Sequence, residues 1–299
     1  MNILLTNDDG IASPGIWAAA RQLAGLGQVT MVAPAQNHSG YATALPPACT
    51  LSFFPHQRSA GHPENVTAYG LWGTPATRAH VGLSGVLGGA PFDLVVSGIN
   101  HGANLGRDVF YSGTVGAALT AHLLVYPAIA ISLDAATAGL AHFDSAASAL
   151  VEVVRLWQAN PDPTPALFNV NAPNLPVSQL AGTLITTLAE NCCLGRYRIG
   201  ADSHEENVLR VTRDEGHGST PELWTDAWAV GLGYVAITPL HVTPDLLYVA
   251  PRSAPAEAIA LPTLMVRTAA LAEHSLVKSN PARASKTPSF SFKRIRWCQ

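Results

Sequence analysis

The chain has 299 residues, 48% of them hydrophobic and only 12% charged, which is enough apolar material for one large domain or a domain with an appendage. A formal net charge of −3 gives no support to nucleic-acid binding. The most hydrophobic stretch, residues 115–133, is interrupted by Thr120, His122 and Pro127, so it reads as a helix followed by a buried strand and not as a membrane span.

Met1-Asn2-Ile3-Leu4-Leu5 reads as a short buried strand that ends in the turn residues Thr6-Asn7-Asp8-Asp9-Gly10. A helix is expected over 15–26 and a second strand over 29–33. Further strands are expected over 45–54 and 65–72. Thr74 then caps a helix whose first residue is Pro75, a favoured arrangement. Residues 92–97 form an apolar strand, and a polar, glycine-rich loop follows over 98–113. A helix begins near Thr114. A strand over 127–133, a helix over 141–158 and a strand over 167–171 complete the alternation. Strands that are continuously apolar and alternate with helices predict an α/β fold, a mostly parallel sheet covered on both faces.

Past residue 180 the pattern changes. Residues 182–187 and 207–212 look like strands of a hairpin-rich extension. Residues 226–233 and 234–239 return to short helix and strand signals, and 262–276 reads as a helix. The expected organisation is a core over 1–180 and a second region over 181–276 with the hairpin extension, a returning core strand and an oligomerisation element. A basic tail, expected to be disordered, follows over 277–299, with Lys278, Arg283, Lys286, Lys293, Arg294 and Arg296 and no acid. The start shows no secretory signal. Cys49, Cys192, Cys193 and Cys298 have neither CxxC nor zinc spacing, so reduced thiols in a cytoplasmic protein are expected.

In a parallel sheet, ligands collect where strands end at their carboxyl edge. Three loops leave such ends here. The first carries Asp8 and Asp9, the second Asn37-His38-Ser39-Gly40, and the third runs from Gly98 through Asn100 and Asn104 to Asp108. Two adjacent carboxylates repel, and burial raises the cost, so the pair either splits between a helix cap and solvent or shares a divalent cation. Carboxylates, a serine hydroxyl and an asparagine carbonyl suit a hard cation such as magnesium, manganese or calcium. The third loop enters Tyr111-Ser112-Gly113-Thr114 and a helix start, where unpaired amides and the dipole favour an anion. Asn104, Ser112, Gly113 and Thr114 are therefore candidate phosphate-binding residues, although Ser112-Gly113-Thr114 alone would pass for an ordinary helix cap. The loops match neither the dinucleotide nor the ATP-binding glycine pattern, and no G-x-S-x-G elbow is present. A cation beside an anion site describes phosphate transfer or hydrolysis.

Several segments also resemble the SurE-type (survival protein E) nucleotidases. They are Asn2 to Ile11 with its Thr6-Asn7-Asp8-Asp9-Gly10, Val32-Ala33-Pro34 leading to Ser39-Gly40, and Gly73-Thr74-Pro75. Val96-Ser97-Gly98-Ile99-Asn100 with Gly102, Asn104, Leu105 and Gly106, and Tyr111-Ser112-Gly113-Thr114-Val115, match as well. Asn169-Val170-Asn171-Ala172-Pro173 and Gly233-Tyr234-Val235-Ala236-Ile237-Thr238-Pro239-Leu240 continue the match to about residue 245. The resemblance implies a 5′-nucleotidase, a metal-dependent phosphatase of nucleoside monophosphates with possible action on 3′-nucleotides. It places one divalent cation per subunit on Asp8, Asp9, Ser39 and Asn100. It also implies a Rossmann-like domain with a protruding hairpin and a C-terminal element exchanged in homodimers or homotetramers. The chain departs from the family at Ala76-Thr77-Arg78, between Asn191 and Glu222, and in the basic tail. Asp9 is the candidate to orient or deprotonate the attacking water. A phosphatase with an aspartyl-phosphate intermediate and a non-catalytic nucleotide-binding module are the competing expectations. No membrane and no specific nucleic acid is expected as a partner.

Overall fold

A computed structural model of the chain describes residues 1–57, 59, 61–87, 91–135, 139–159, 166–190, 197–201, 209–213 and 222–242. The first strand, β1 (Asn2–Thr6), leads into α1 (Pro14–Leu23) and β2 (Gln28–Ala33). A short β3 (Phe53–Pro55), β4 (Val66–Leu71) and α2 (Pro75–Leu83) follow. Then come β5 (Leu94–His101), a 3-10 turn (Arg107–Phe110), α3 (Gly113–Leu123), β6 (Ala128–Asp134), α4 (Phe143–Ala159) and β7 (Leu167–Pro173). The remaining described elements are β8 (Gly182–Ile185), β9 (Tyr197–Ala201), β10 (Leu209–Arg213), α5 (Asp226–Gly231) and β11 (Tyr234–Pro239).

The main sheet has the order β3-β4-β2-β1-β5-β6-β7-β11-β8. Its central run, β4-β2-β1-β5-β6-β7, is parallel throughout; β3 joins β4 antiparallel, and β11 joins β7 antiparallel and β8 parallel. Counted among themselves, these six strands lie in the order 3-2-1-4-5-6, the doubly wound Rossmann arrangement. The expected α/β fold, with a mostly parallel sheet, is therefore the fold of the chain. Successive residues of β1 serve opposite faces, as the pleat requires. Ile3 and Leu5 join the cluster that contains Ile16 and Leu23 of α1 and Leu150 and Val154 of α4. Leu4 packs instead against Gly82 of α2. At the switch point, β1 leads by α1 to β2 on one side while β5 lies hydrogen-bonded on the other. The loops leaving β1 and β5 thus flank one crevice.

Several expected boundaries move. Of the strand expected over 45–54, only its end is a strand, continuing to Pro55; Pro46 and Pro47 have no N–H to give a ladder. The loop expected from Gly98 begins as strand, because β5 continues to His101 after a shift of register between Ser97 and Asn100. Gly98 sits in that shift at φ +131°, and a side chain there would collide with the carbonyl of Ile131. Residues 182–187 were expected to build a hairpin extension. Instead, β8 completes the main sheet beside β11, and the hairpin pairs β9 with β10. The expected helix over 262–276 and the basic tail lie outside the described residues, as do Cys192, Cys193 and Cys298; Cys49 is a free, exposed thiol.

Candidate active site

The turn after β1 is buried as it forms. Asn7 is sealed from solvent and ties the turn together, donating from Nδ2 to the Gly10 carbonyl (3.0 Å) and to Ser13 Oγ (2.9 Å). Asp8 follows at 3% exposure. Its Oδ1 accepts a 2.5 Å hydrogen bond from the Thr114 hydroxyl, in the first turn of α3. A carboxylate is welcome there, because the first amides of a helix lack intrahelical acceptors and carry the positive end of the dipole. Burial and the Asp9 charge still outweigh that help and push the Asp8 carboxyl up to about 6. Gly113 makes the approach possible: a Cβ on it would lie 2.6 Å from Oδ2 of Asp8 and 2.8 Å from Cγ of Pro75.

Asp9 faces the other two loops. Its Oδ2 accepts the amide of His101 at 2.9 Å, which brings the end of β5, with Asn100, beside the acid pair. Its Oδ1 is reached by Asn37 Nδ2 at 3.5 Å, and Asn37 Oδ1 in turn accepts the amide of Ser39 at 2.8 Å. The His38 amide donates to the Asp8 carbonyl at 2.7 Å. The loop after β2 is therefore stitched to both acids of the turn through the adjacent Asn37 and His38. Burial raises the Asp9 carboxyl above the usual range, against the His101 amide, which lowers it. Asn100 donates its own amide to the Gly102 carbonyl at 2.7 Å.

The hard-cation expectation can be tested on this donor set. Two adjacent acids, both desolvated and both pushed up, create a demand for positive charge. The Thr114 hydroxyl and the Asn37 side-chain amide contact them, the loops that carry Ser39 and Asn100 are tied to them, and no group of three His, Cys, Asp or Glu side chains suited to a metal occurs among the described residues. Such oxygen chemistry fits magnesium, manganese or calcium better than zinc.

The candidate phosphate-binding residues divide. Thr114 spends its hydroxyl on Asp8, and Ser112 caps α3 by accepting the amide of Val115 at 3.1 Å. The amides of Gly113 and Thr114 belong to the first helical turn, where no intrahelical acceptor exists. Asn104 is anchored elsewhere: its Nδ2 donates to Ser132 Oγ of β6 at 2.7 Å. Its carbonyl accepts from Asn169 and Asn171 of β7, and its amide donates to Asn171 Oδ1.

Three supports had no role assigned to them from the sequence. Asn37 links Asp9 to Ser39. Asn169 and Asn171 clamp the Asn104 loop; two polar residues at alternate positions of an apolar strand were the available signal. Asp226, fully buried at the start of α5, accepts the amides of Gly106 (2.8 Å), Ala189 (2.9 Å) and Ala227 (2.8 Å). Nothing in the local sequence distinguishes it from a helix-capping acid.

The family model described as "Survival protein SurE" matches residues 3–193. A 5′-nucleotidase SurE of Vibrio cholerae serotype O1 is 38% identical over 257 residues, spanning 81% of this chain and 92% of the relative. The 5′-nucleotidase SurE of Legionella pneumophila is 37% identical over 255 residues, spanning 81% and 91%. Among solved structures, the SurE protein from Aquifex aeolicus superposes with a TM-score of 0.66 at 35% identity, covering 81% of this chain and 93% of that one.

Proposed function

The chain belongs to the survival protein SurE family, and we propose that it is a 5′-nucleotidase, a hydrolase that splits nucleoside monophosphates into nucleoside and phosphate with one divalent cation per subunit. The observation that carries this reading is the buried Asp8–Asp9 pair at the sheet's switch point, set against the N-terminus of α3. Asp8, Asp9, Ser39 and Asn100 would hold the cation. When bound, magnesium, manganese or calcium would neutralise charge on the phosphoryl group and make water more acidic.

The chain's own residues do the rest. Thr114 fixes one oxygen of Asp8, and the His101 amide with Asn37 fixes Asp9. Asp9 orients the attacking water and takes its proton. The water oxygen bonds to phosphorus, the bond from phosphorus to the nucleoside oxygen breaks, and that oxygen takes a proton from solvent as Asp9 gives its own back to solvent. The amides of Gly113 and Thr114 stabilise negative charge on the phosphoryl oxygens, as helix N-termini do for anions. Ser112 holds that first turn by its cap, and Asn104 holds the neighbouring loop.

A homodimer or homotetramer and a cytoplasmic location belong to the same proposal. The exposed Phe110, Tyr111, Leu123 and Val125 supply apolar surface for contact with a second copy. No helix among the described residues is long and apolar enough to cross a membrane. The test is phosphate release from 5′-AMP and 3′-AMP by the chelated chain, with and without added magnesium, manganese or calcium. Cation-dependent release from 5′-AMP is expected. The absence of release with every cation overturns the proposal.

A further inference from the structure

Arg78 is fully buried on α2, yet it takes no part in the chemistry above. Its Nη2 donates to the carbonyl of Asn7 at 3.1 Å, and its Nη1 to the carbonyl of Gly73. Both acceptors are neutral, and Nε is a buried donor without a hydrogen-bond partner. A guanidinium sealed from water with only neutral acceptors is unstable unless a negative charge lies in its field. Asn7 hands on directly to Asp8, itself sealed from solvent beside Asp9. By its hold on the Asn7 carbonyl the guanidinium is fixed one residue from that buried acid; burial pulls the guanidinium down to about 10, and the Asp8 charge opposes the fall. The field of Arg78 also reaches His38, whose imidazole is lowered first by burial and then by Arg78.

We propose that Arg78 is the built-in counter-cation of Asp8: it stabilises the fold when the site is free of metal, and it weakens the grip on a divalent ion so that the ion exchanges. This rests on the cation reading given above. A fixed positive charge beside a carboxylate subtracts from that carboxylate's attraction for a second cation. The same charge, held by bonds to the Asn7 and Gly73 carbonyls, keeps the acidic turn against α2. Arg78 is thus a positioning residue. A purely structural role predicts weaker ion binding when it is lost, whereas a counter-cation predicts stronger binding.

The experiment is calorimetric titration of the metal-free full chain with manganese, together with melting temperature with and without the ion. Arg78→Met removes the charge at similar length, and Arg78→Lys keeps it. Arg78→Met should bind manganese about tenfold tighter than the unaltered chain, with Arg78→Lys within about threefold of it. Arg78→Met should also gain more in melting temperature on adding manganese. Equal or weaker binding by Arg78→Met, or equal tightening by Arg78→Lys, overturns the inference. If Arg78→Met is unfolded without the ion, Arg78→Gln is titrated by the same criterion. If both are unfolded without the ion, refolding on manganese addition supports the inference, and failure to refold overturns it. An unaltered chain that takes up no manganese defeats the cation reading and this inference with it. Binding by the unaltered chain with no tightening in the variants defeats this inference alone.

Discussion

Asp8 and Asp9 differ in what surrounds them. Asp8 is locked between Thr114 and Gly113, whereas Asp9 is half-buried and reaches the loops after β2 and β5. Asp8→Asn or Asp9→Asn should each weaken manganese binding and lower turnover of 5′-AMP at least about a hundredfold, the scale of losing one charge-stabilising group. Full turnover by either variant would refute the assignment. The raised Asp8 carboxyl, at about 6 against an ordinary 3.8, also fixes a pH dependence. In the metal-free chain the folded state holds this proton more tightly than the unfolded state does. Stability therefore falls as pH rises from about 4 to about 6, by about 3 kcal/mol from this group, and levels off above. Denaturant unfolding of the chelated chain across that range should show the fall, and saturating manganese should flatten it.

At the scale of elements, the site depends on how closely α3 meets the turn after β1. Gly113→Ala would drive a methyl group into Oδ2 of Asp8 and into Pro75. We expect a stability loss of about 1–3 kcal/mol from overpacking, with turnover falling more than about tenfold as Asp8 shifts. Unchanged turnover at unchanged stability would show that α3 and the turn are not tightly coupled. Asp226 couples α5 to the loop after β5 by accepting the Gly106, Ala189 and Ala227 amides. Asp226→Ala leaves the buried amides of Gly106 and Ala189 and the half-buried amide of Ala227 without that acceptor and should cost about 3 kcal/mol or more, read from urea unfolding.

At the scale of the molecule, one topological fact organises the chemistry. The chain turns back across its own sheet between β1 and β5, and the acidic turn stands at that break. The exposed Phe110 and Tyr111, just before α3, and Leu123 and Val125 at its far end leave apolar surface on this side of the sheet's helical cover. Light scattering at micromolar concentration should give at least twice the 31.3 kDa chain mass. A monomer throughout the accessible range would count against a homo-oligomer.

The sequence by itself determined the α/β class, because apolar runs such as Ile3 to Leu5 and Val95-Val96 alternate with helical patterns. It also marked Asp8 and Asp9, because an acid pair at a strand exit violates local electrostatics wherever the strand lies. The strand expected over 45–54 overlooked the prolines at 46 and 47, which give a ladder no N–H. Other features were decided only by tertiary structure. The pairing of β8 with β11, the burial of Arg78 against the Asn7 carbonyl, and the bond that the Gly106 amide donates to Asp226, 120 residues later, depend on partners distant in the chain. Residue type records a side chain's capacity to donate, accept or carry charge. Which group it meets, and whether water is excluded when they meet, is set by the packing of the sheet and its helices.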